Sequence, residues 1–171
     1  RKGAEIRVLA FDEAGALRTD LLPSLVDERT RVVAVTQASN TLGTRPDLRT
    51  VVEAAHAVGA VVVVDGCQGV VHGGVDVRAM DCDFYAFSGH KLYGPTGIGV
   101  LYGKRELLER MPPFMGGGDM VDTVTFAKTT YAPVPLKFEA GTANFVGAIG
   151  LGEAVKFMQR FDPAEIEAHE E

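Results

Sequence analysis

The sequence predicts an α/β fold in which a mostly parallel sheet is flanked by helices. Residues 31–36 and 60–64 are apolar, β-branched runs, the pattern of strands that are buried on both faces. Between them, residues 47–58 place apolar side chains at helical spacing, with a proline near the start and a glycine just past the end. A strand, a helix and a strand in this order indicate a right-handed crossover and a parallel sheet. Residues 84–87 add a third buried strand.

The remaining segments predict shorter elements. Ile6 and Val8 alternate with polar neighbours, which favours a strand, and helical spacing favours further helices. Three successive glycines followed by several threonines and two prolines favour an exposed loop. In chain order, the predicted elements are a strand at 5–8, a helix at 21–26, a strand at 98–102, a helix at 104–110, a long exposed loop at 116–135 and a helix at 148–161.

Composition limits the classes of function. The 171 residues suffice for one domain, and a net charge of −6 without a basic cluster argues against nucleic acid and membrane as partners. No apolar run approaches the roughly 20 residues of a membrane span. Two cysteines are too few for a disulfide framework and indicate a reducing compartment, so we predict a cytoplasmic protein.

The two ends of the sequence predict a piece of a longer protein. Arg1 leads almost at once into a strand pattern, and the chain stops within a helix that Asp162 can cap and Pro163 can begin. We therefore expect residues 1–161 to form the main domain and residues 162–171 to begin a helix that leads to a further domain.

Chemically useful side chains follow the predicted strands. Asn40, Asp65 and Lys91 lie just beyond strand ends, where open α/β sheets bind their ligands. A carboxylate at one strand end can keep the pyridine nitrogen of pyridoxal phosphate protonated, and a lysine at another can form a Schiff base with this cofactor. Ser88 and His90 stand beside the lysine and offer hydrogen-bond donors for a phosphate. The pattern therefore predicts a pyridoxal phosphate site.

Simpler interpretations exist for each of these residues. Asp65 can cap a loop, Lys91 can be a solvated surface lysine, Ser88 can cap a turn and His90 can bond a carbonyl. An acidic strand end also suits a nucleotide hydrolase, but the chain lacks the G-x-x-x-x-G-K-[ST] loop of that class. A receiver domain needs further acids after its first strand, and the polar loop at that place has none. No cysteine and histidine spacing indicates zinc, and we predict no metal site.

Five segments carry a resemblance to one family. The most specific is residues 80–97, which contain the lysine, and the others are residues 39–44, 64–68, 115–118 and 138–144. On these segments the chain resembles the group II cysteine desulfurases and selenocysteine lyases (SufS/CsdA-like) of the class V aminotransferase superfamily. The resemblance covers nearly the whole chain. It implies that the chain is the central and carboxyl-terminal part of the large domain of a fold-type I transferase that depends on pyridoxal phosphate.

The resemblance also implies roles in binding the cofactor. Lys91 would hold the cofactor covalently and later move the α-proton of the substrate. Asp65 would pair with the pyridine nitrogen, and Gln68 would form a hydrogen bond with the phenolic oxygen. Ser88 and His90 would hold the phosphate.

The reaction that the resemblance implies is removal of sulfur from L-cysteine, or of selenium from L-selenocysteine. The products would be L-alanine and an enzyme-bound persulfide, whose sulfur serves iron–sulfur cluster assembly or other sulfur transfer. Asn40 would contact the substrate carboxylate. Thr142 would reach the phosphate bound by the neighbouring subunit, which implies a homodimer, and a sulfur-acceptor protein is a further implied partner.

Some parts of the family's site would lie outside the 171 residues. The upstream phosphate-binding turn and the histidine that stacks on the cofactor would precede Arg1. The loop with the nucleophilic cysteine and the arginine for the substrate carboxylate would follow Glu171. Cys67 stands where the family usually has alanine, and neither it nor Cys82 matches the nucleophile. We therefore expect the chain alone to be inactive and to associate with itself through exposed apolar surface.

Two alternatives stay open at this point. The first is another class V enzyme, such as a selenocysteine lyase, an epimerase or a C–S lyase. The second is a binding or scaffold domain that has kept the fold without catalysis. The joint presence of Asp65, Gln68, His90 and Lys91 argues against the second alternative.

Overall fold

The computed structural model describes residues 3–170 and centres on a four-stranded sheet. In the order in which they lie, the strands are β1 (Val32–Thr36), β2 (Val61–Asp65), β3 (Phe84–Ser88) and β4 (Gly99–Gly103). The first three are parallel, and β4 runs antiparallel to β3. Thr36 pairs with Asp65, which pairs with Ala86, so the three parallel strands end at one edge of the sheet. The predicted α/β fold with a mostly parallel sheet is confirmed.

Helices accompany the sheet along the chain. The α-helices of the described residues are α1 (Leu22–Leu25), α2 (Leu48–Ala57), α3 (Val77–Met80), α4 (Arg105–Arg110), α5 (Phe145–Met158) and α6 (Pro163–Glu170), and 3₁₀ turns cover Thr19–Leu21, Gly89–Leu92 and Leu136–Phe138. No helix within residues 3–170 is long and apolar enough to cross a membrane. The helices predicted at 21–26 and 104–110 are confirmed to within one residue at each end.

The crossover helix α2 forms where the sequence predicted it. Its start is fixed by Asp47, whose side chain accepts hydrogen bonds from the N–H groups of Arg49 and Thr50 at 3.1 and 3.3 Å. One face of α2 packs on the sheet and makes the main core. The buried residues of this core are Val52, Ala55, Ala60, Val62, Val64, Cys82 and Tyr85.

The strand predicted at residues 5–8 is wrong. Ile6 and Val8 are 86% and 77% exposed, and no described strand lies beside them to complete a ladder. An alternating pattern specifies a strand only when one face has a surface to pack on and the backbone has a partner. The nearest strand-like feature is an isolated bridge between Phe11 and Leu17.

The predicted loop at 116–135 and the predicted helix at 148–161 also differ from the structure. Residues 116–135 contain an antiparallel hairpin of β5 (Val121–Val124) and β6 (Thr129–Tyr131). Its threonines suit a strand as well as a loop. Helix α5 lies three residues earlier than predicted at both ends, because the Asn144 side chain caps it by accepting the N–H of Gly147 at 3.0 Å.

A buried acid lies at the amino-terminal end of β3. Asp83 is 6% exposed, and its Oδ2 accepts the N–H of Val62 at 2.7 Å and lies 2.9 Å from His56 Nε2. Lys104 Nζ lies 3.0 Å from Asp83 Oδ1 and 2.7 Å from Asp81 Oδ1. Burial alone would raise the pKa of Asp83, but these donors outweigh burial and lower it. His56 is therefore a structural residue, held by its contact with Asp83.

Candidate functional site

Three predicted site residues lie at the edge of the sheet where the parallel strands end. Asp65 is the last residue of β2 and Ser88 is the last residue of β3, while Asn40 follows β1 in a loop. Asp65 pairs with Ala86, so the end of β3 extends two residues past this pair. The fold therefore brings Asn40 and Asp65 to one edge, as the strand pattern predicted, and Ser88 ends the neighbouring strand there.

The carboxylate of Asp65 is exposed and partly oriented by its own turn. Its Oδ1 accepts the N–H of Cys67 at 2.9 Å, and its backbone carbonyl accepts the N–H of Gln37 at 2.9 Å. Hydrogen bonds to the backbone fix the direction of a carboxylate and leave its remaining lone pairs available. Asp65 is therefore presented at the strand end as an acceptor for a cationic or N–H group.

The lysine segment is a compact turn between β3 and β4. Lys91 is half-buried and His90 is exposed in the 3₁₀ turn Gly89–Leu92. The N–H of Gly89 donates to Ile98 at 2.8 Å, and the N–H of Gly94 donates back to Gly89 at 3.0 Å. A Cβ on Gly94 would lie 2.9 Å from the Gly89 carbonyl oxygen, so only glycine permits this closure. Because these bonds close the turn on both sides of Lys91, they restrict the position of the lysine backbone.

The turn after β2 packs on Tyr85 and Gln37, two residues that the sequence did not single out as part of the site. The hydroxyl of Tyr85 lies 2.5 Å from Gln37 Oε1 and 3.3 Å from the Gly66 carbonyl oxygen. Burial raises the pKa of Tyr85, so its phenol stays protonated as a donor. A Cβ on Gly66 would lie 1.9 Å from the tyrosine ring, and one on Gly69 would lie 2.0 Å from Gln37. Gly66 directly follows β2 and Gly69 lies three residues later, and glycines at such places can indicate that another group packs closely against the backbone.

Asn40 and Gln68 line one cavity of about 630 Å³. The cavity lies between the loop after β1, the turn after β2 and helix α6. Its polar lining consists of Ser39, Asn40, Arg45, Gln68, His72, Glu167 and Glu170. A more open cavity of about 640 Å³, between α4 and β6, contains none of the predicted site residues. The first cavity is thus the one that belongs to the candidate site.

Thr142 is not brought to the other predicted site residues within the described chain. It is exposed in the loop before α5, and no hydrogen bond joins it to any of the other six. The same loop is tied near the lysine turn, because Asn144 Nδ2 donates to the Gly97 carbonyl at 3.3 Å. The role of Thr142 toward a second subunit stays a prediction.

The two cysteines differ in their environments. Cys67 is half-buried at the strand-end edge, with its Sγ 3.8 Å from Ser88 Oγ. Cys82 is fully buried before β3 begins, and burial raises the pKa of its thiol. In the part of the chain that the structure describes, no group of three or more His, Cys, Asp or Glu side chains could hold a metal ion.

Comparison with known proteins relates this chain to one group of enzymes. All of residues 1–171 match the family described as Aminotransferase class-V. A cysteine desulfurase of Dickeya dadantii is 55% identical over 170 residues, which are 99% of this chain and 41% of that protein. The chain therefore spans less than half the length of the curated relatives that it matches.

Solved structures give the same relation. The crystal structure of the cysteine desulfurase CsdA from Escherichia coli matches with a TM-score of 0.88 and 52% identity, over 91% of this chain and 39% of that chain. The apo structure of a cysteine desulfurase from Thermococcus onnurineus matches with a TM-score of 0.89 and 34% identity, over 95% of this chain and 40% of that chain. The resemblance predicted from the motifs is confirmed, and so is the partial fold-type I domain.

Proposed function

Because the chain belongs to the aminotransferase class V family, which it matches over residues 1–171, we propose that it is the central part of the cofactor domain of a cysteine desulfurase. Enzymes of this family depend on pyridoxal phosphate. The proposed reaction converts L-cysteine into L-alanine and leaves the sulfur as a persulfide on the enzyme. The observation that carries the proposal is the placement of Asp65 and the lysine turn at adjacent strand ends of one sheet edge.

The residues at this edge fit pyridoxal phosphate in kind. Asp65 presents an exposed carboxylate, which suits a protonated pyridine nitrogen. Lys91 offers an amine on the neighbouring strand's turn, and Ser88 and His90 offer donors for a phosphate. Gln68 lines the adjoining cavity with an amide that can bond the phenolic oxygen. When bound, the cofactor withdraws electrons from the substrate's α-carbon.

Each of these side chains has a separate task in the proposal. Asp65 keeps the cofactor's ring nitrogen protonated, and Gln68 orients the ring through its phenolic oxygen. Lys91 attaches the cofactor and carries the α-proton on Nζ. Asn40, which lines the same cavity as Gln68, holds the substrate carboxylate.

We propose that groups outside these 171 residues carry out the remaining parts of the reaction. Neither described cysteine environment suits the sulfur acceptor, since Cys82 is fully buried and Cys67 lies between the Asp65 turn and Ser88. We therefore assign the persulfide to a cysteine outside residues 1–171. We also assign Thr142 to the phosphate of a second subunit in a homodimer. A cytoplasmic location and transfer of sulfur to an acceptor protein for iron–sulfur cluster assembly complete the proposal.

Trapping the cofactor tests this proposal in the full-length protein. Borohydride reduction followed by peptide mass analysis is expected to find the cofactor on Lys91 and to find none in a Lys91→Ala variant. Lys128→Ala, which removes an exposed lysine from the β5–β6 hairpin, serves as the matched control and should retain the label. A full-length protein that takes up no pyridoxal phosphate would instead support a scaffold domain.

Activity measurements separate the remaining outcomes. The full-length protein is expected to release alanine from L-cysteine, whereas the 171-residue chain alone is expected to be inactive. Product analysis with L-cysteine and L-selenocysteine distinguishes a desulfurase from a selenocysteine lyase or another class V enzyme. Sulfide release by the chain alone at the rate of the full-length protein would contradict the assignment of the acceptor cysteine.

A further inference from the structure

The acidic face of α6 contacts both of the loops that form the Asn40 and Gln68 cavity. Arg45 Nη1 lies 2.6 Å from Glu167 Oε1, and Arg45 Nη2 lies 3.9 Å from Glu170 Oε2. His72 Nδ1 lies 2.6 Å from Glu170 Oε1, and since a carboxylate only accepts, Nδ1 carries the proton of this bond. Glu167 and Glu170 are three residues apart on α6 and therefore share a face.

Arg45 is rigidly connected to the loop that carries Asn40. This loop is closed on itself, because the N–H of Ser39 donates to Thr44 at 2.9 Å and the N–H of Gly43 donates to Ser39 at 3.0 Å. Arg45 directly follows Thr44, the acceptor of the first of these two bonds. A contact that fixes Arg45 therefore restricts the movement of Asn40.

His72 has the same relation to the turn that carries Gln68. The N–H of Val70 donates to Gly66 at 2.9 Å, and the N–H of Val71 donates to Gln68 at 3.3 Å. These bonds make the segment from Gly66 to His72 a compact unit. A contact that fixes His72 therefore restricts the movement of Gln68.

Helix α6 adds a second connection between the two loops, away from the strand ends where Gln37 already contacts the turn after β2. Among the described residues, no hydrogen bond joins the segment 39–45 directly to the segment 66–72. Helix α6 bridges them through Glu167 and Glu170, and a Cβ added to Gly74 would lie 3.2 Å from its first residue, Pro163. The helix therefore contacts the chain after β2 at its first residue and both cavity loops through its carboxyl-terminal half.

We propose that α6 is a strap that sets the distance between Asn40 and Gln68, with Arg45, Glu167, His72 and Glu170 as positioning residues. The proposal rests on the proposed function, since it concerns the cavity lined by Asn40 and Gln68, which are proposed to contact the substrate and the cofactor. In this proposal the four positioning residues line the cavity and act through the two loops. They hold together the outer parts of two loops whose bases are joined through Gln37 and Tyr85.

Hydrogen exchange tests the strap without any activity. In the variant with Glu167→Gln and Glu170→Gln together, amide exchange in segments 39–44 and 66–72 is expected to become about two- to five-fold faster, the effect of losing partly exposed ion pairs. The matched control is Glu165→Gln, which removes the same charge from the same helix and whose side chain pairs with no described residue. Its loops should exchange at the wild-type rate. Equal rates in the double variant and the wild type would overturn the proposal.

A charge swap separates positioning from a general loss of helix α6. Arg45→Glu alone and Glu167→Arg alone are each expected to accelerate exchange in segment 39–44, and the two together are expected to restore the wild-type rate. If the double swap fails to restore it, or if exchange accelerates in α6 with both loops unchanged, the strap is refuted.

Kinetics of the full-length enzyme connect the strap to catalysis. Glu167→Gln with Glu170→Gln is expected to raise KM for L-cysteine several-fold with a smaller change in kcat, because Asn40 would bind the substrate carboxylate. Glu165→Gln should change neither constant. A fall in kcat at constant KM would count against the positioning role. If the wild-type enzyme has no desulfurase activity, the proposed function fails, while the exchange experiments still decide whether the strap exists.

Discussion

Replacing Asp83 by alanine is expected to destabilise the fold by about 3 kcal/mol. The substitution leaves the buried N–H of Val62 without its acceptor, which costs about 1–3 kcal/mol. Removing one partner of a buried ion pair costs about 3–5 kcal/mol when it strands the other charge. Lys104 retains Asp81 at 2.7 Å and His56 is partly exposed, so the expected loss lies at the lower end of that range.

Urea unfolding of the chain at neutral pH, followed by far-ultraviolet circular dichroism, measures this loss as a lower midpoint at constant slope. Asp81→Ala is the matched control, because it removes a neighbouring carboxylate that is 63% exposed and is expected to cost under about 1 kcal/mol. An Asp83→Ala variant that loses no more stability than Asp81→Ala would refute the reasoning.

The same residue predicts a dependence of stability on pH. The folded-state pKa of Asp83 is lowered, so its carboxylate stabilises the fold above the pKa of the unfolded chain, which is about 4. This contribution is lost as the pH falls through the lower pKa of the folded state. The free energy of unfolding of the wild type should therefore fall more steeply below about pH 4 than that of Asp83→Asn, and parallel curves would contradict the assignment.

Two further substitutions test the fold around the site. Gly66→Ala is expected to cost about 1–3 kcal/mol of stability, because the new Cβ would lie 1.9 Å from the Tyr85 ring. Gly152→Ala is the control and should be neutral or stabilising, because no atom lies within 4 Å of its new Cβ. Urea midpoints compare the two, and equal effects would mean that the turn relaxes freely. Asp47→Ala is expected to cost about 1 kcal/mol through the lost cap of α2, and an unchanged melting temperature would show that the cap contributes nothing.

Much of the central fold could be predicted because local patterns and tertiary packing agree there. The valine runs of β1 and β2 and the apolar face of α2 pack on one another, so periodicity alone identified them. The strand pattern also placed Asn40, Asp65 and Lys91 beyond strand ends at one sheet edge, because the carboxyl ends of parallel strands point to the same edge. The assignment of Lys91 needed the specific motif around it.

What could not be predicted depends on contacts between distant residues. Ile6 and Val8 have a strand pattern but no partner strand, and the threonines of β5 and β6 suit a strand only because the chain turns back on itself. The contact between His72 and Glu170 joins residues that are far apart in the chain, so no local sequence pattern predicts it. Tyr85 lies in a strand that was predicted to be buried. The contacts of its hydroxyl with Gln37 and Gly66 were not predicted.

The antiparallel direction of β4 bears on the order in which the site forms during folding. The β3–β4 pairs, from Ser88 with Gly99 to Phe84 with Gly103, join residues close in sequence, whereas β2 reaches β1 only across the α2 crossover. Closing a short loop costs less chain entropy than closing a long one, and local contacts form faster. We therefore expect the hairpin that holds Lys91 to close early in folding. The strand that ends at Asp65 would complete its pairing later, so the amine would be in place before its carboxylate counterpart arrives.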